Sequence, residues 1–328
     1  MLLIVYGTRP EWIKIKPVLP HLDIPYKLLS TGQHKDIAPR QHSSLEIQDG
    51  PNRLDSIVQS IMNQEDIFKN ITHIMVQGDT TSAFAFALAA FHRGIKIIHL
   101  EAGLRTYNKD HPYPEEFNRK SISAMADIHL CPTENNARNL KAEGIERGVY
   151  TTGNTVLDNL AGMITSTGDT VLVTLHRREN HHIMHEWFST LNDIAKEQSH
   201  LQFLLPMHPN PAVQKHKHLL THVDVCPPLH YEDFLPVLAN SKFIISDSGG
   251  IQEEAAFLNK RVIVCRHYTE RPEGLQGHHM MCKDPSHLPV IVRLFNKNYR
   301  VHVDCPFGDG TAGPQVGHII TKVVNGHH

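Results

Sequence analysis

Short apolar runs alternate with helix-patterned stretches along almost the whole 328-residue chain, and this alternation constrains the fold more than any other feature. Runs at 2–6, 26–30, 72–77, 95–100, 127–131 and 148–152 are followed by others at 170–175, 201–206, 223–226, 243–246 and 261–265. Continuous apolar stretches such as Phe243-Ile244-Ile245 belong to strands buried on both faces. Between them, helices are predicted at 11–22, 53–69, 80–93, 115–125, 134–143, 155–162, 184–197, 211–220, 231–239 and 250–258, with a last one at 314–324. Strand–helix–strand units of this kind build parallel sheets with helices on both sides. The expected fold class is α/β with two doubly wound domains, because a chain of this length outgrows one core. The break falls in the loop-like stretch 162–169, giving domains 1–165 and 166–310. Residues 311–328 are expected to return as a helix onto the first domain. Two such domains leave a cleft between the carboxyl ends of their strands, where open α/β sheets bind ligands.

Composition excludes several classes of function. A net charge of −2 gives no reason to expect nucleic acid or an anionic membrane as a partner. No window approaches the ~20 apolar residues of a membrane span. Five scattered cysteines fit reduced thiols better than a disulfide framework, and a cytoplasmic location is expected. Among the 26 histidines, His218 and His222 have the i, i+4 spacing of a metal pair on a predicted helix. No third ligand lies nearby, so no metal is expected.

Polar residues cluster after the strands. Ser246-Asp247-Ser248-Gly249-Gly250 follows one strand and opens a helix, where unpaired N–H groups and the helix dipole favour an anion. The glycines admit a bulky ligand, and Glu253 and Glu254 offer acceptors for sugar hydroxyls. Gly7-Thr8-Arg9-Pro10-Glu11 repeats the strand–turn–helix pattern near the start, with Pro10 suited to a first helical turn. Asp79, standing before Thr80, reads on its own as a helix N-cap, and Glu115 and Glu116 suit a helix's first turn by the dipole argument alone. Glu101 ends an apolar strand, and burying a carboxylate there is costly without a purpose. No G-x-G-x-x-G follows a strand and no P-loop or G-x-S-x-G is present, so no nicotinamide or other cofactor is expected.

With these residues stand GTRPEWIKIKPV (7–18), TGQH (31–34), QGDTTSAFAFALAAF (77–91), HLEAGLRT (99–106), PYPEEFNR (112–119), PTENNARNL (132–140), TGNTVLD (152–158), TLHRREN (174–180), MHPNP (207–211), SDSGGIQEEA (246–255), TERPE (269–273) and PFGDG (306–310). In this order they resemble the bacterial-type UDP-N-acetylglucosamine 2-epimerases from end to end. The resemblance implies two Rossmann-like domains of the GT-B type, a UDP-N-acetylhexosamine substrate and a homodimer. It implies that Asp79, Glu101 and Glu115 are the acid/base carboxylates, with Lys14, Asn118 and Arg119 in support. Ser248, Gly249 and Gly250 are implied to hold the diphosphate, with Arg9, His176 and Arg271 nearby and Glu254 on the ribose. Gln33, Arg177 and His208 correspond to a region where a second nucleotide-sugar binds and activates in relatives; the chain is shorter than the family between His34 and Ile71.

The implied reaction interconverts UDP-N-acetylglucosamine and UDP-N-acetylmannosamine. The C2 hydrogen is not adjacent to a carbonyl, so loss of UDP from C1 with the C2 proton, through 2-acetamidoglucal, is the open route. A hydrolysing epimerase, a GT-B glycosyltransferase and a non-catalytic nucleotide-sugar-binding module are the alternatives.

Overall fold

The computed structural model describes residues 1–31, 43–48 and 50–326. The chain divides into two compact units, Met1–Asn159 with Gly308–His328 and, between them in sequence, Leu160–Phe307.

Unit 1 is built on a parallel sheet of β1 (Leu2–Tyr6), β2 (Tyr26–Ser30), β3 (Ser43–Ser44), β4 (His73–Gln77), β5 (Lys96–Leu100), β6 (Ile128–Cys131) and β7 (Val149–Thr151), in the order β3-β2-β1-β4-β5-β6-β7. Its helices are α1 (Arg9–Ile15), α2 (Arg53–Met62), α3 (Thr81–His92), α4 (Glu115–Met125) and α5 (Glu134–Ala142). Unit 2 carries β8 (Thr170–Thr174), β9 (Gln202–Pro206), β10 (Asp224–Cys226), β11 (Phe243–Ser246), β12 (Val262–Val264) and β13 (His279–Met281), ordered β10-β9-β8-β11-β12-β13. Around that sheet lie α6 (Met184–Glu197), α7 (Pro211–Gln214), α8 (Tyr231–Asn240), α9 (Gly249–Phe257) and α10 (Leu288–Lys297). The last helix, α11 (Ala312–Val324), belongs to unit 1. The predicted α/β class with two doubly wound sheets is what the chain adopts.

Every strand pair is parallel. All five residues of β1 and all four of β6 and β11 are buried, as strands covered on both faces require. Strand order reverses between β1 and β4 in unit 1 and between β8 and β11 in unit 2. Each reversal is a switch point, where the loops leaving the strand ends splay apart and open a crevice.

The unit-1 core joins Leu2, Ile4, Ile15 and Met75 to Val316, Ile320 and Val323 of α11. These last three share one helix face, and their burial is worth on the order of 5 kcal/mol. Asp158 accepts from Ala312 N (3.2 Å) and Gly313 N (2.7 Å), capping α11 at its start. A side chain at Gly313 would collide with Pro17 O, 2.5 Å from the Cβ position, so glycine lets the helix approach this closely.

Several helices are shorter than predicted. The expected helix 11–22 stops at Ile15 and continues as a 3₁₀ segment, Lys16–His21, because Pro17 and Pro20 remove N–H donors and crowd the preceding turn. The predicted 53–69 ends at Met62, and 155–162 is a 3₁₀ segment, Thr155–Leu160. In place of 211–220 stand α7 and a short 3₁₀ turn, Lys217–Leu219. His218 and His222 therefore do not share a helix face, and their metal-pair spacing has no structural counterpart. Among the described residues no cluster of metal-ligating side chains occurs, and no helix is long and apolar enough to cross a membrane. Two strands escaped prediction, the polar pair Ser43–Ser44 and His279–Met281, whose histidine hides its strand character. Helix α10 also escaped, although Leu288, Val292 and Phe295 have helical spacing, because Pro289 and a β-branched run obscure it.

Candidate active site

At the switch point of unit 1, Glu11 ties two turns together. It lies three residues after the α1 N-cap Thr8, the spacing of a capping box. Its Oε2 accepts from Gly7 N (2.8 Å), Thr8 N (2.6 Å) and Thr8 Oγ1 (2.8 Å). Its Oε1 reaches across to accept from Thr80 Oγ1 at 2.8 Å, so the turns after β1 and β4 share one buried carboxylate. Burial pushes the Glu11 carboxyl above the usual range, opposed by these four hydrogen bonds. Arg9 stands half-buried at the first position of α1, on the turn that Glu11 braces.

Asp79 is not the N-cap of α3; Thr80 is, accepting from Ala83 N at 3.1 Å. Asp79 is left to pair with Arg119, whose Nε donates to its Oδ2 at 3.1 Å while Nη2 donates to the same oxygen. Asn118 Nδ2 donates to the Asp79 carbonyl at 2.9 Å, fastening α4 to this turn. Arg119 Nη1 also donates to Glu116 Oε2 (3.1 Å), and Glu116 accepts from Thr106 N and Tyr107 N. Glu116 is thus a structural anchor, whereas Glu115, first residue of α4, lies one turn before Arg119 on the same helix face.

Glu101 follows β5 with φ 69°, a left-handed conformation rare outside glycine. Such strain persists only where the surroundings hold it. They do: Lys14 Nζ pairs with both carboxylate oxygens (2.5 and 2.6 Å), Gln77 Nε2 donates at 2.5 Å and Asn154 Nδ2 at 3.1 Å. Its side chain is only 8% exposed, as the position at a strand end implied. Gln77 ends β4 two residues before Asp79 and bonds Glu101, so Asp79 and Glu101 share one edge of unit 1, and Asn118 and Arg119 dock the helix that Glu115 begins onto the Asp79 turn.

Unit 2 presents a different surface. Ser248 is the N-cap of α9, and Gly249 and Gly250 are its first residues. A Cβ on Gly250 would meet nothing within 4 Å, whereas one on Gly249 would stand 2.5 Å from Arg271 Nη1 and 2.8 Å from Glu270 Oε1. Gly249 thus gives way to Arg271, and Gly250 faces open space at a helix N-terminus. Arg271 Nε pairs with Glu253 Oε1 at 2.9 Å and Nη1 with Glu270. Glu270 is held in turn by Arg266 Nη1 (2.9 Å), and Arg266 Nε donates to Glu179 Oε1 at 2.8 Å. Glu254, buried on the same helix, accepts from Tyr231 Oη at 2.7 Å. Burial, then the nearby Glu254, pushes the tyrosine hydroxyl up, so it stays a donor.

Across the unit-2 switch point, fully buried Asp247 plays the part Glu11 plays in unit 1. It accepts from His176 N (2.9 Å), Arg177 N (2.8 Å) and Asn180 Nδ2 (3.0 Å), and stands 3.5 Å from His176 Nδ1. The His176 ring stacks on His208, with centroids 5.0 Å apart and planes at 10°. Burial holds both imidazoles below their ordinary value, which favours the neutral ring. The structure thereby brings Arg177 and His208 beside His176, while Gln33 lies outside the described residues.

Glu11, Gln77, Asn154 and Asp247 stand within the sequence motifs, but no local pattern assigns them a role in the site. Thr8 and Glu11 carried a capping-box signal, but the reach to Thr80 is a tertiary fact. Asp247 was masked by its glycine neighbours.

The family model described as UDP-N-acetylglucosamine 2-epimerase matches residues 21–321. A UDP-N-acetylglucosamine 2-epimerase of Campylobacter jejuni is 37% identical, the match covering 84% of each chain. The crystal structure of the Neisseria meningitidis UDP-GlcNAc 2-epimerase bound to UDP-GlcNAc superposes with a TM-score of 0.89 at 32% identity, covering 98% of this chain and 99% of that one. The S. aureus MnaA–UDP structure gives a TM-score of 0.89 at 30% identity, covering 99% and 96%.

Proposed function

This chain belongs to the UDP-N-acetylglucosamine 2-epimerase family, and from that membership we propose that it interconverts UDP-N-acetylglucosamine and UDP-N-acetylmannosamine without releasing free sugar. The observation that supports the reading is the placing of Asp79 and Glu101 at one edge of unit 1, clasped by Arg119 and Lys14, with the helix that Glu115 begins docked on the Asp79 turn. A glycosyltransferase or a binding module needs no such acid/base set.

In the proposed reaction the C1–O bond to UDP breaks as a carboxylate takes the C2 proton. The C–H electron pair becomes the C1=C2 bond of 2-acetamidoglucal. UDP then returns to C1 and a proton is delivered to the other face of C2. The cations beside the carboxylates orient them, and the strained Glu101 is fixed where a flexible side chain would wander. In unit 2, the open N-terminus of α9 at Gly250 and the guanidinium of Arg271 suit a leaving diphosphate, and Glu254 suits a ribose hydroxyl. The His176 ring, whose backbone N–H is braced by Asp247, can donate a hydrogen bond to the departing phosphate oxygen. Relatives bound to UDP-GlcNAc and to UDP support this choice of ligand.

The test is proton NMR of the protein with UDP-N-acetylglucosamine in deuterium oxide, with neither metal nor nicotinamide added. UDP-N-acetylmannosamine carrying deuterium at C2 is the expected product. Retention of the original C2 hydrogen defeats the elimination route, and accumulation of free N-acetylmannosamine with UDP assigns the chain to the hydrolysing branch.

A further inference from the structure

The proposed diphosphate clamp in unit 2 has two parts that come from different loops. One is the turn Ser248–Gly250 after β11; the other is Arg271, in the segment that follows β12. Their ionic contacts hold Arg271 near α9, but ion pairs tolerate small displacements, and phosphate recognition does not. Hydrogen bonds are directional and fix spacing better.

A chain of such bonds runs between the two parts, and Gln252 is its centre. The residue is fully buried, and a buried primary amide must place both its donor and its acceptor ends. Nε2 donates to Ser248 O, the carbonyl of the α9 N-cap, at 3.2 Å. Oε1 accepts from Thr269 Oγ1 at 3.0 Å. That same Oγ1 accepts from Arg271 N at 3.1 Å. From behind, the Gln252 carbonyl pairs with His279 Nε2 of β13 at 2.9 Å. The His279 ring in turn occupies the space a side chain on Gly274 would need. The glutamine is therefore held at its backbone and bonded at both ends of its side chain.

The two following residues are glutamates, yet glutamate would not serve at 252. A carboxylate can accept from Thr269 but cannot donate to Ser248 O. Only an amide of this length can do both.

We infer that Gln252 is a positioning residue, setting through Ser248 and Thr269 the spacing between the glycine turn and Arg271, and so the preference of the site for a nucleoside diphosphate over the bare nucleoside. The inference rests on the proposed reading of unit 2 as a diphosphate site. A residue that merely stabilises the fold would lower the affinity for both ligands together, or for neither.

The experiment titrates UDP and uridine, the latter to millimolar, calorimetrically into the full chain and its variants. Gln252→Met has similar volume and no charge but loses both bonds. It should bind UDP about tenfold or more weakly while uridine affinity holds. Thr269→Val, which removes one hydroxyl from a half-buried position, should shift the ratio in the same direction by less. Thr269→Ser keeps the hydroxyl and should retain the wild-type ratio. If Gln252→Met does not fold, the Thr269 pair decides alone. A wild-type ratio in Thr269→Val, or a parallel loss of both ligands in Gln252→Met, overturns the inference. Should the unaltered protein bind uridine as tightly as UDP, the diphosphate reading itself falls, and the inference with it.

Discussion

In unit 1 the turns after β1 and β4 are tied by Glu11; in unit 2 the turns after β8 and β11 are tied by Asp247. The two sheets share one strand order out from their switch points, and each uses a single buried carboxylate to hold its crevice. Above that common brace they diverge. Unit 1 pairs Asp79 and Glu101 with Arg119 and Lys14, whereas unit 2 sets a helix N-terminus toward open space beside a buried network of Arg266 and Arg271 with Glu179, Glu253 and Glu270. On the proposed reading, the same scaffold carries general acid/base groups in one unit and an anion cradle in the other, because the residues one or two positions past the strand ends differ.

If this division holds, changes in unit 1 strike turnover and changes in unit 2 strike binding. The largest effect is expected from Asp79→Asn, Glu101→Gln and Glu115→Gln. Each should lower turnover at least ~100-fold, the scale of acid–base catalysis, with UDP affinity little changed. Steady-state kinetics beside calorimetric UDP titration reads both; a variant with normal turnover leaves the catalytic set. Next comes Gly250→Asp. Its side chain meets open space, so the melting temperature should hold while UDP binding is lost by like-charge repulsion in a partly desolvated site. Near-normal affinity in a folded Gly250→Asp protein would remove the cradle from this turn. Gly249→Ala, by contrast, must displace Arg271 and should lower both affinity and melting temperature.

The braces should behave alike. Glu11→Leu and Asp247→Leu each leave buried donors without an acceptor, at a cost of roughly 1–3 kcal/mol or more in denaturant unfolding. Unequal costs would show that the two switch points are less equivalent than their hydrogen bonds.

A further effect concerns pH. Burial holds His99 down to about 3 and His129 to about 4 in unit 1, and His279 to about 3 in unit 2. Unfolded histidine titrates near 6.5, so between these values the unfolded chain binds protons the native one refuses. These groups destabilise nothing above about pH 6.5, and stability is lost as pH falls toward 4. Urea melts at pH 7 and pH 5 check the sign, and His99→Gln should flatten the dependence.

Much of this was legible in the residues. Apolar runs such as Leu2–Tyr6 and Phe243–Ser246 revealed the parallel sheets, since strands buried on both faces have no other pattern. Glu101 betrayed itself by standing charged at the end of such a run. What stayed hidden was mutual placement. That Asp79 yields the cap to Thr80 and pairs with Arg119 depends on where α4 docks, which no local pattern encodes. Prolines 17 and 20 were visible, yet whether they end a helix or convert it to 3₁₀ was settled by packing against α11.

The chain leaves unit 1 at Asn159 and re-enters it at Gly308, so the second unit is an insertion within the first. On a ribosome adding ~5–20 residues per second, the strands of unit 1 emerge early and wait on the order of ten seconds for α11. Until then the apolar face formed by Leu2, Ile4 and Ile15 lacks its cover. The later unit can finish folding before the earlier one, reversing the usual vectorial order. A stalled or clipped chain missing its last turns would keep a complete second unit and forfeit the first, exposing a sticky nascent surface for chaperones or proteases to find.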